Sequence, residues 1–361
     1  MSKKESRRQF LALASLAGVT ALAGCGGGDG EAGSDGDGGT DSDGGGSSGD
    51  GETDTDGDGG TDSTDGESDD DGASDDGSQR LSWHAGGTGG TYFPLSNEVK
   101  TVVEENTDFS LNVQSTGASV ENVGSLADGS ADFALIQNDI AFFAKNGTGI
   151  DVFQDNPIEN LRGVATLYPE TITIVTLAET DIQSVSDLSG ATINTGDLGS
   201  GTQVNATQIL ETVGITDYSE QNAGFAQASE QLANGDIDAA FVVGGYPVGA
   251  IEDLANTNDL NIVPIEGENR EAVKEDASWF ADDTIPGGTY SGVDNDVETV
   301  AVQAMIATNA DVATDTVETV TAAIFDNVDD LSIKTDSISA DSAQDGMSID
   351  LHEGAATYFD V

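Results

Sequence analysis

The most informative stretch of this chain is the loop Gly86-Gly87-Thr88-Gly89-Gly90-Thr91-Tyr92-Phe93-Pro94. It follows a strand-like run, Leu81–Ala85, and opens a helix-like run, Pro94–Glu105. Glycines let a backbone approach a ligand closely. A helix that starts near a proline offers the free N–H groups of its first turn to an anion. No lysine follows the glycines, so the loop is not the phosphate loop of a nucleotidase.

A second loop of the same kind occurs later in the chain. Gly196-Asp197-Leu198-Gly199-Ser200-Gly201-Thr202 follows a strand-like run, Ala191–Thr195. It precedes an amphipathic run, Gln203–Val213, and Gly214 stands where a helix C-terminal glycine belongs. The glycine loop therefore marks the start of an α/β unit in each half of the chain.

A second motif is also duplicated. The pattern L-A-x-G-x-x-D-x-A occurs at Leu126–Ala134 and again at Leu232–Ala240. Each copy ends a helix at glycine and starts a buried strand, Phe133–Ile136 or Ala239–Val243. The same order of elements in both halves predicts an α/β fold of two lobes, each of which offers a helix N-terminus to a shared cleft.

The N-terminus has the pattern of an export signal. Ser6–Leu11 matches the twin-arginine motif, and the apolar stretch Leu11–Ala23 is shorter than the roughly 20 residues of a membrane span. Leu22–Cys25 resembles a lipobox, and Cys25 is the only cysteine. We therefore expect residues 1–25 to direct twin-arginine export. We expect Cys25 to carry a lipid on the outer face of the cytoplasmic membrane.

Residues 26–79 consist almost entirely of Gly, Asp, Ser, Thr and Glu. Such a segment cannot bury enough apolar area to offset its ordering entropy, so the composition predicts a disordered acidic tether. The stretch Asp54–Gly59 could be read as a calcium loop, but position twelve would be Asp65 rather than glutamate. A solvated tether is the better interpretation.

The charge of the chain is strongly negative, at −56 overall. After residue 79 there are 47 acidic and seven basic side chains. Such a surface is suited to molar salt, which screens the self-repulsion, and we infer a halophilic surface protein. The acidity argues against nucleic acid or an anionic membrane surface as a partner. The lipid is then the expected attachment to the membrane.

Seven segments, taken together, resemble the TAXI family of solute-binding proteins of TRAP transporters. They run in order from about residue 81 to the C-terminus, and each alone is a weak signal. The segments are Gly87–Pro94, Gln114–Asn122, Ala134–Asp139, Leu167–Glu170, Gly199–Ala206, Ile285–Tyr290 and Leu351–Ala355.

The resemblance implies a type II periplasmic-binding-protein fold, an α/β fold of two lobes joined by crossover strands. The expected crossovers are Val164–Leu177 and Val297–Thr308. Lobe one would comprise 81–170 with 296–361, and lobe two 171–295. The implied solute is a small carboxylate, glutamate-like or a dicarboxylate, or another amino acid. It would be passed to a TRAP membrane permease, without a cofactor, a metal or catalytic residues.

The resemblance, together with binding at the carboxyl ends of strands, also implies a set of ligand contacts. From lobe one these are Thr88, Gly89, Gly90, Thr91, Tyr92, Ser115, Thr116, Gln137 and Asn138. From lobe two they are Ser200, Gly201, Thr202, Asn205, Gly244, Gly245 and Tyr246. Arg162 is expected at or beneath the hinge and Glu170 is expected to shape it; whether either contacts the ligand stays open.

Two histidines and a serine are weaker candidates for chemistry. His84 and His352 lack a spaced carboxylate partner, which makes a metal site a poor interpretation. Ser200 stands between glycines but lacks the G-x-S-x-G spacing of a hydrolase elbow. The leading hypothesis is therefore a receptor without enzymatic activity. The alternatives are a stand-alone surface sensor and, less favoured, an extracytoplasmic enzyme on the same fold.

Overall fold

The computed structural model describes residues 79–361. The predicted signal with Cys25 and the predicted tether up to residue 78 lie outside these residues. Within the described part, no helix has the length and apolar character needed to cross a bilayer.

Ten strands form one sheet in the order β2-β1-β3-β10-β4-β7-β5-β6, with β8 paired to β4 and β9 to β10. The strands are β1 (Gln79–His84), β2 (Phe109–Gln114), β3 (Phe133–Gln137), β4 (Leu161–Leu177), β5 (Thr192–Asn194), β6 (Ser219–Gln221), β7 (Ala239–Gly244), β8 (Leu260–Val263), β9 (Ala281–Ile285) and β10 (Val297–Asn309).

Nine α-helices of the described part connect and cover these strands. They are α1 (Tyr92–Asn106), α2 (Ser119–Asp128), α3 (Asn138–Asn146), α4 (Gly201–Thr212), α5 (Phe225–Asn234), α6 (Gly249–Ala255), α7 (Gly267–Asp276), α8 (Thr314–Asp326) and α9 (Glu353–Phe359). Short 3₁₀ helices occur at Val185–Leu188 and Val328–Asp330.

The two ends of the sheet repeat one arrangement. Strand β1 lies parallel between β2 and β3, and β5 lies parallel between β6 and β7. In each group the third strand pairs antiparallel with a long strand, β3 with β10 and β7 with β4. We call the half with β1–β3 lobe one and the half with β5–β7 lobe two. This is the type II periplasmic-binding-protein arrangement, so the predicted fold class is confirmed.

The long strands β4 and β10 run through both lobes. They pair with each other from Leu161 to Thr171 along β4. Beyond that, Thr171–Val175 pairs with β7 in lobe two, while Ala304–Thr308 of β10 pairs with β3 in lobe one. They are the two crossover strands of this fold. The predicted residue bounds of the lobes, 81–170 with 296–361 and 171–295, stay a prediction.

Each lobe has its own apolar core. In lobe one, Trp83 stacks on Phe133 with ring centroids 5.7 Å apart, among buried leucines and valines of α1 and α8. In lobe two, Phe241 of β7 packs with Ile193 of β5 and Ile209 of α4. Both cores lie against the central parallel strands and leave the strand ends free for polar side chains.

The helix starts differ slightly from those predicted. Helix α1 begins at Tyr92, so Pro94 lies within its first turn, where a missing N–H costs no intrahelical bond. Helix α4 begins at Gly201, and the Ser200 hydroxyl accepts from the Gln203 N–H over 3.1 Å. That capping bond extends the helix two residues toward the loop. Gly214 follows the helix with a φ of 81°, as the glycine signal predicts.

Candidate functional site

Four helices begin at one cleft between the lobes. Helices α1 and α2 belong to lobe one, α4 and α5 to lobe two, and each follows a strand of the parallel groups. Their first residues, Tyr92, Ser119, Gly201 and Phe225, all line the same cavity. The first turn of a helix has N–H groups without intrahelical partners and the positive end of the helix dipole. The cleft is therefore an environment that favours an anion.

The cavity is small, with a volume of about 70 Å³. Nine of the residues predicted to contact a ligand line it: Gly89, Gly90, Thr91, Tyr92, Thr116, Gln137, Ser200, Gly201 and Thr202. They come from both lobes. Their contact with a ligand stays a prediction, but the fold does bring them together around one space.

Thr88, Ser115 and Asn138 lie outside the residues that line the cavity. Thr88 and Ser115 are exposed, and the Ser115 hydroxyl donates to the carbonyl of Gly86 over 3.0 Å. The Asn138 amide points the other way: it donates to the Gly346 carbonyl and accepts from the N–H of Gln303. Asn138 therefore links Gly346 of the C-terminal segment to Gln303 of β10 through hydrogen bonds.

Gly244, Gly245 and Tyr246 lie close to the cavity but also outside its lining. The Thr91 hydroxyl donates to the Gly245 carbonyl over 3.1 Å. A Cβ at Gly245 would lie 2.9 Å from the ring of Tyr168, so this position has room only for glycine. The Tyr246 carbonyl accepts a hydrogen bond from the ammonium of Lys334. These residues thus shape the wall next to Thr91.

Asn205 also lies away from the lining, buried in the contact between α4 and α3. Its Nδ2 donates to Oδ2 of Asp139 over 2.7 Å. Burial raises the pKa of Asp139 to about 6. Asn205 therefore joins the lobes beside the cavity rather than facing into it.

The lobes are in contact on more than one side of the cavity, so the structure is a closed form. The N–H of Ala250 in lobe two donates to the Gly89 carbonyl in lobe one over 3.2 Å. On another side, the N–H of Val120 donates to the Gly199 carbonyl, also over 3.2 Å. Backbone groups of both glycine loops thus form part of the closure contact.

Glu170 is a buried acid in the wall of the cavity. It lies on β4, where the chain passes from one lobe to the other, and its side chain is 3 % exposed. The Tyr92 hydroxyl donates to Oε2 of Glu170 over 2.9 Å. Burial raises the pKa of Glu170 to about 8, and the Tyr92 hydrogen bond opposes part of that shift.

Ten lining residues were outside the predicted set of ligand contacts. They are Gly86, Gly87, Gly117, Ala118, Ser119, Glu170, Asp197, Gly224, Phe225 and Val243. Ser119 and Phe225 begin α2 and α5, the second helix of each duplicated unit. The repeated order of elements could have pointed to these two helix starts. For Glu170 the sequence left a ligand contact open, because this residue lies inside a long strand rather than after one.

Of the remaining candidates, Arg162 and His352 have structural partners, whereas neither ring nitrogen of His84 has a hydrogen-bond partner among the described residues. Arg162 donates to the carbonyls of Glu159 and Leu161 and does not line the cavity. His352 accepts from the Gly354 N–H at the start of α9, while burial lowers the pKa of His84. The described residues contain no cluster of three or more His, Cys, Asp or Glu suited to a metal ion.

Comparison with known proteins identifies one matching family and many solved structures, of which those described here have low sequence identity. The sequence profile of the NMT1-like family matches residues 84–360. Among solved structures, a Bordetella bronchiseptica protein is 15 % identical, with a TM-score of 0.47 over 78 % of this chain and 81 % of that one. The alkanesulfonate-binding protein of Xanthomonas axonopodis pv. citri, bound to MOPS, is 15 % identical, with a TM-score of 0.42 over 68 % and 74 %.

Proposed function

Because this chain belongs to the NMT1-like family, we propose that it is the solute-binding receptor of a membrane transporter. The receptor captures a small organic anion between its lobes and delivers it, chemically unchanged, to a permease. The observation that carries the proposal is the convergence of four helix N-termini, two from each lobe, on one closed cavity.

The chemistry of the cavity supports a carboxylate as the bound group. N–H groups at helix starts form charge-assisted hydrogen bonds to an anion, which are about twice as strong as neutral ones. The hydroxyls of Thr91, Thr116 and Thr202 line the same space and can complete the coordination. An arginine is not needed for such binding.

The volume of the cavity limits the solute to a small molecule. Pockets for drug-sized ligands have volumes of about 300–1,000 Å³, well above the 70 Å³ found here. A short amino acid or small dicarboxylate, glutamate-like in size, is the class of solute that we propose. Contacts from both lobes would make binding favour the closed form.

We assign the partner from the seven sequence segments that resemble TAXI proteins. They favour the permease of a TRAP transporter over other transporter classes. The proposal includes twin-arginine export, a lipid on Cys25 and a surface adapted to high salt. In this account the acidic segment 26–79 separates the receptor head from the membrane.

Calorimetric titration of the purified protein in molar KCl tests the proposal. The panel comprises glutamate, glutamine, 2-oxoglutarate, succinate, malate, pyruvate and neutral amino acids. One member is expected to bind at one per chain. Thr91→Trp and Thr202→Trp, which fill the cavity, should abolish that binding while thermal unfolding stays cooperative.

A matched control for these variants is available on helix α4. Thr207 is exposed on the same helix as Thr202, so Thr207→Trp adds the same side chain outside the cavity. This variant should bind the solute like the wild type. Binding that survives both cavity variants would mean that the site lies elsewhere, and conversion of the solute would favour an enzyme.

A further inference from the structure

Glu170 presents a buried carboxyl group to the cavity without a cation bound to it. Its side chain is 3 % exposed and lines the cavity. The Tyr92 hydroxyl, an uncharged donor, bonds to its Oε2 over 2.9 Å. No salt bridge within residues 79–361 includes Glu170. An ionised carboxylate buried in this way is costly unless a positive group pairs with it.

The nearest positive side chain is held outside the cavity. Lys334 comes from the C-terminal segment, and its ammonium donates to the Tyr246 carbonyl. It lies over the rings of Tyr168 and Tyr246, 5.9 and 5.2 Å from their centroids. The residues that line the cavity include no lysine or arginine. A positive partner for Glu170 inside the cavity therefore has to come from the solute.

The cavity thus favours a ligand that has both a negative and a positive group. Four helix N-termini favour a negative group, while Glu170 favours a positive one. Because the space is only about 70 Å³, the two groups must be close together on the solute. An α-amino acid in its zwitterionic form has this arrangement, whereas a dicarboxylate or an oxo acid lacks the positive group.

We propose that Glu170 accepts the ammonium group of the solute, and that the solute is an α-amino acid rather than a dicarboxylic or 2-oxo acid. This inference rests on the proposed receptor function and narrows its substrate class. Tyr92 acts as a positioning residue, since its hydroxyl donates to Oε2 of Glu170 over 2.9 Å.

The alternative is that Glu170 contacts the solute as a neutral, protonated carboxyl group. Burial favours the neutral form of Glu170, whose pKa is about 8 in the closed structure. A neutral carboxyl can donate a hydrogen bond to an oxo group. A receptor that used Glu170 in this way would prefer the oxo acid. Preference for the amino acid or for the oxo acid therefore shows whether Glu170 accepts an ammonium group or donates to an oxo group.

Matched pairs of solutes that differ only in this group test the inference. The purified full-length protein is titrated calorimetrically at pH 7 in molar KCl with L-glutamate and 2-oxoglutarate, L-alanine and pyruvate, and L-leucine and 4-methyl-2-oxopentanoate. In the pair that fits the cavity, the amino acid is expected to bind at least about tenfold more tightly, the usual worth of a charge-assisted hydrogen bond.

Glu170→Gln removes the charge but retains the shape of the side chain. It is expected to weaken binding of the amino acid by about ten- to a hundredfold and to abolish the preference over the oxo acid. Glu211→Gln is the matched control, because Glu211 is exposed near the C-terminal end of α4. The control should retain the preference, and circular dichroism verifies that both variants are folded.

The outcomes separate this inference from the receptor proposal. A pair in which the oxo acid binds as tightly as the amino acid, or a preference that survives Glu170→Gln, overturns the role of Glu170 and leaves the receptor intact. No binding by any member of the three pairs, with the protein folded, overturns the inference. If the wider panel of carboxylates and amino acids also fails to bind, the receptor proposal is overturned as well. The comparison in the wild type alone decides the inference if Glu170→Gln does not fold.

Discussion

Asn205 and Asp139 are joined across the two lobes by a buried hydrogen bond, in which Nδ2 of Asn205 donates to Oδ2 of Asp139 over 2.7 Å. Both side chains are fully buried, and Oδ1 of each has no hydrogen-bond partner among the described residues. Asp139 lies in the first turn of α3, two residues after Gln137 of the cavity wall, and Asn205 lies in α4. Closure of the lobes therefore encloses a carboxyl group together with the solute site.

Asp139 should make stability fall as the pH rises through mildly acidic values. Burial raises the pKa of Asp139 from 3.8 to about 6. Below about pH 4 both states hold the proton; between pH 4 and 6 the unfolded chain releases it first, so the free energy of unfolding falls. The fall amounts to about 3 kcal/mol at most, at roughly 1.4 kcal/mol per unit of pKa.

Asp139→Asn keeps an acceptor for Asn205 but cannot ionise. The stability of this variant relative to the wild type should therefore increase between pH 4 and 6.5. Denaturant unfolding in molar KCl at a series of pH values measures the difference. Asp253→Asn, which replaces an exposed aspartate of α6, is the control and should run parallel to the wild type. A parallel profile for Asp139→Asn would show that the buried carboxyl does not titrate as described.

Gly201→Ala should prevent the lobes from closing fully. A Cβ at Gly201 would overlap Oε1 of Gln137, whose side chain is buried in the opposite lobe. Overpacking of this kind costs about 1–3 kcal/mol, which corresponds to solute binding roughly five- to a hundredfold weaker. Calorimetry and thermal unfolding together measure the effect, and the unfolding temperature is expected to change little because alanine favours the helix.

Gly124→Ala is the comparison for this variant. Gly124 lies within α2, and a Cβ there would meet nothing within 4 Å. Its substitution should leave solute binding unchanged. Equal binding by Gly201→Ala and Gly124→Ala would indicate that Gly201 and Gln137 do not approach each other in the solute-bound form.

Trp279 should report the movement of the lobes. Its ring packs on Phe143 of α3, with centroids 4.8 Å apart, from the turn between α7 and β9 in the opposite lobe. The other of the two tryptophans, Trp83, is fully buried in the core of lobe one. Addition of solute should therefore change the fluorescence of Trp279 alone. Trp83→Phe should retain the change and Trp279→Phe should lose it; the reverse would place the moving contact elsewhere.

The acidic surface should make the fold depend on salt. The residues after 79 hold 47 acidic and only seven basic side chains, so like charges dominate the surface. Molar salt reduces the Debye length to about 3 Å and removes most of this repulsion. The unfolding temperature is expected to rise steeply between 0.1 and 2 M KCl. An unfolding temperature independent of KCl would contradict the assignment of a salt-adapted surface.

Much of the fold could be predicted because its signals are local. The glycine loops predicted helices from Pro94 and Gln203, each within two residues of the observed starts at Tyr92 and Gly201, and the glycine signal predicted the turn at Gly214. The duplicated pattern around Phe133 and Ala239 then identified β3 and β7, the strands that pair with the two crossover strands. Such patterns depend on backbone conformation and burial, which neighbouring residues largely determine.

The direction of individual side chains could not be predicted in the same way. Asn138 and Asn205 stand close in sequence to the lining residues Gln137 and Thr202, yet the amides of both bond outside the cavity. Glu170 faces the cavity only because two crossover strands bring the middle of β4 to the cleft. These placements depend on residues more than 60 positions away, which no local pattern contains.

Equilibrium dialysis followed by chemical analysis of the bound solute is the most direct test of whether this chain is a receptor that binds a solute without changing it. The protein is dialysed in molar KCl against the isotope-labelled panel of carboxylates and amino acids, then denatured, and the released solute is identified and counted. We expect one solute per chain, recovered chemically unchanged. Recovery of a different compound, or of no bound solute from folded protein, would contradict this expectation.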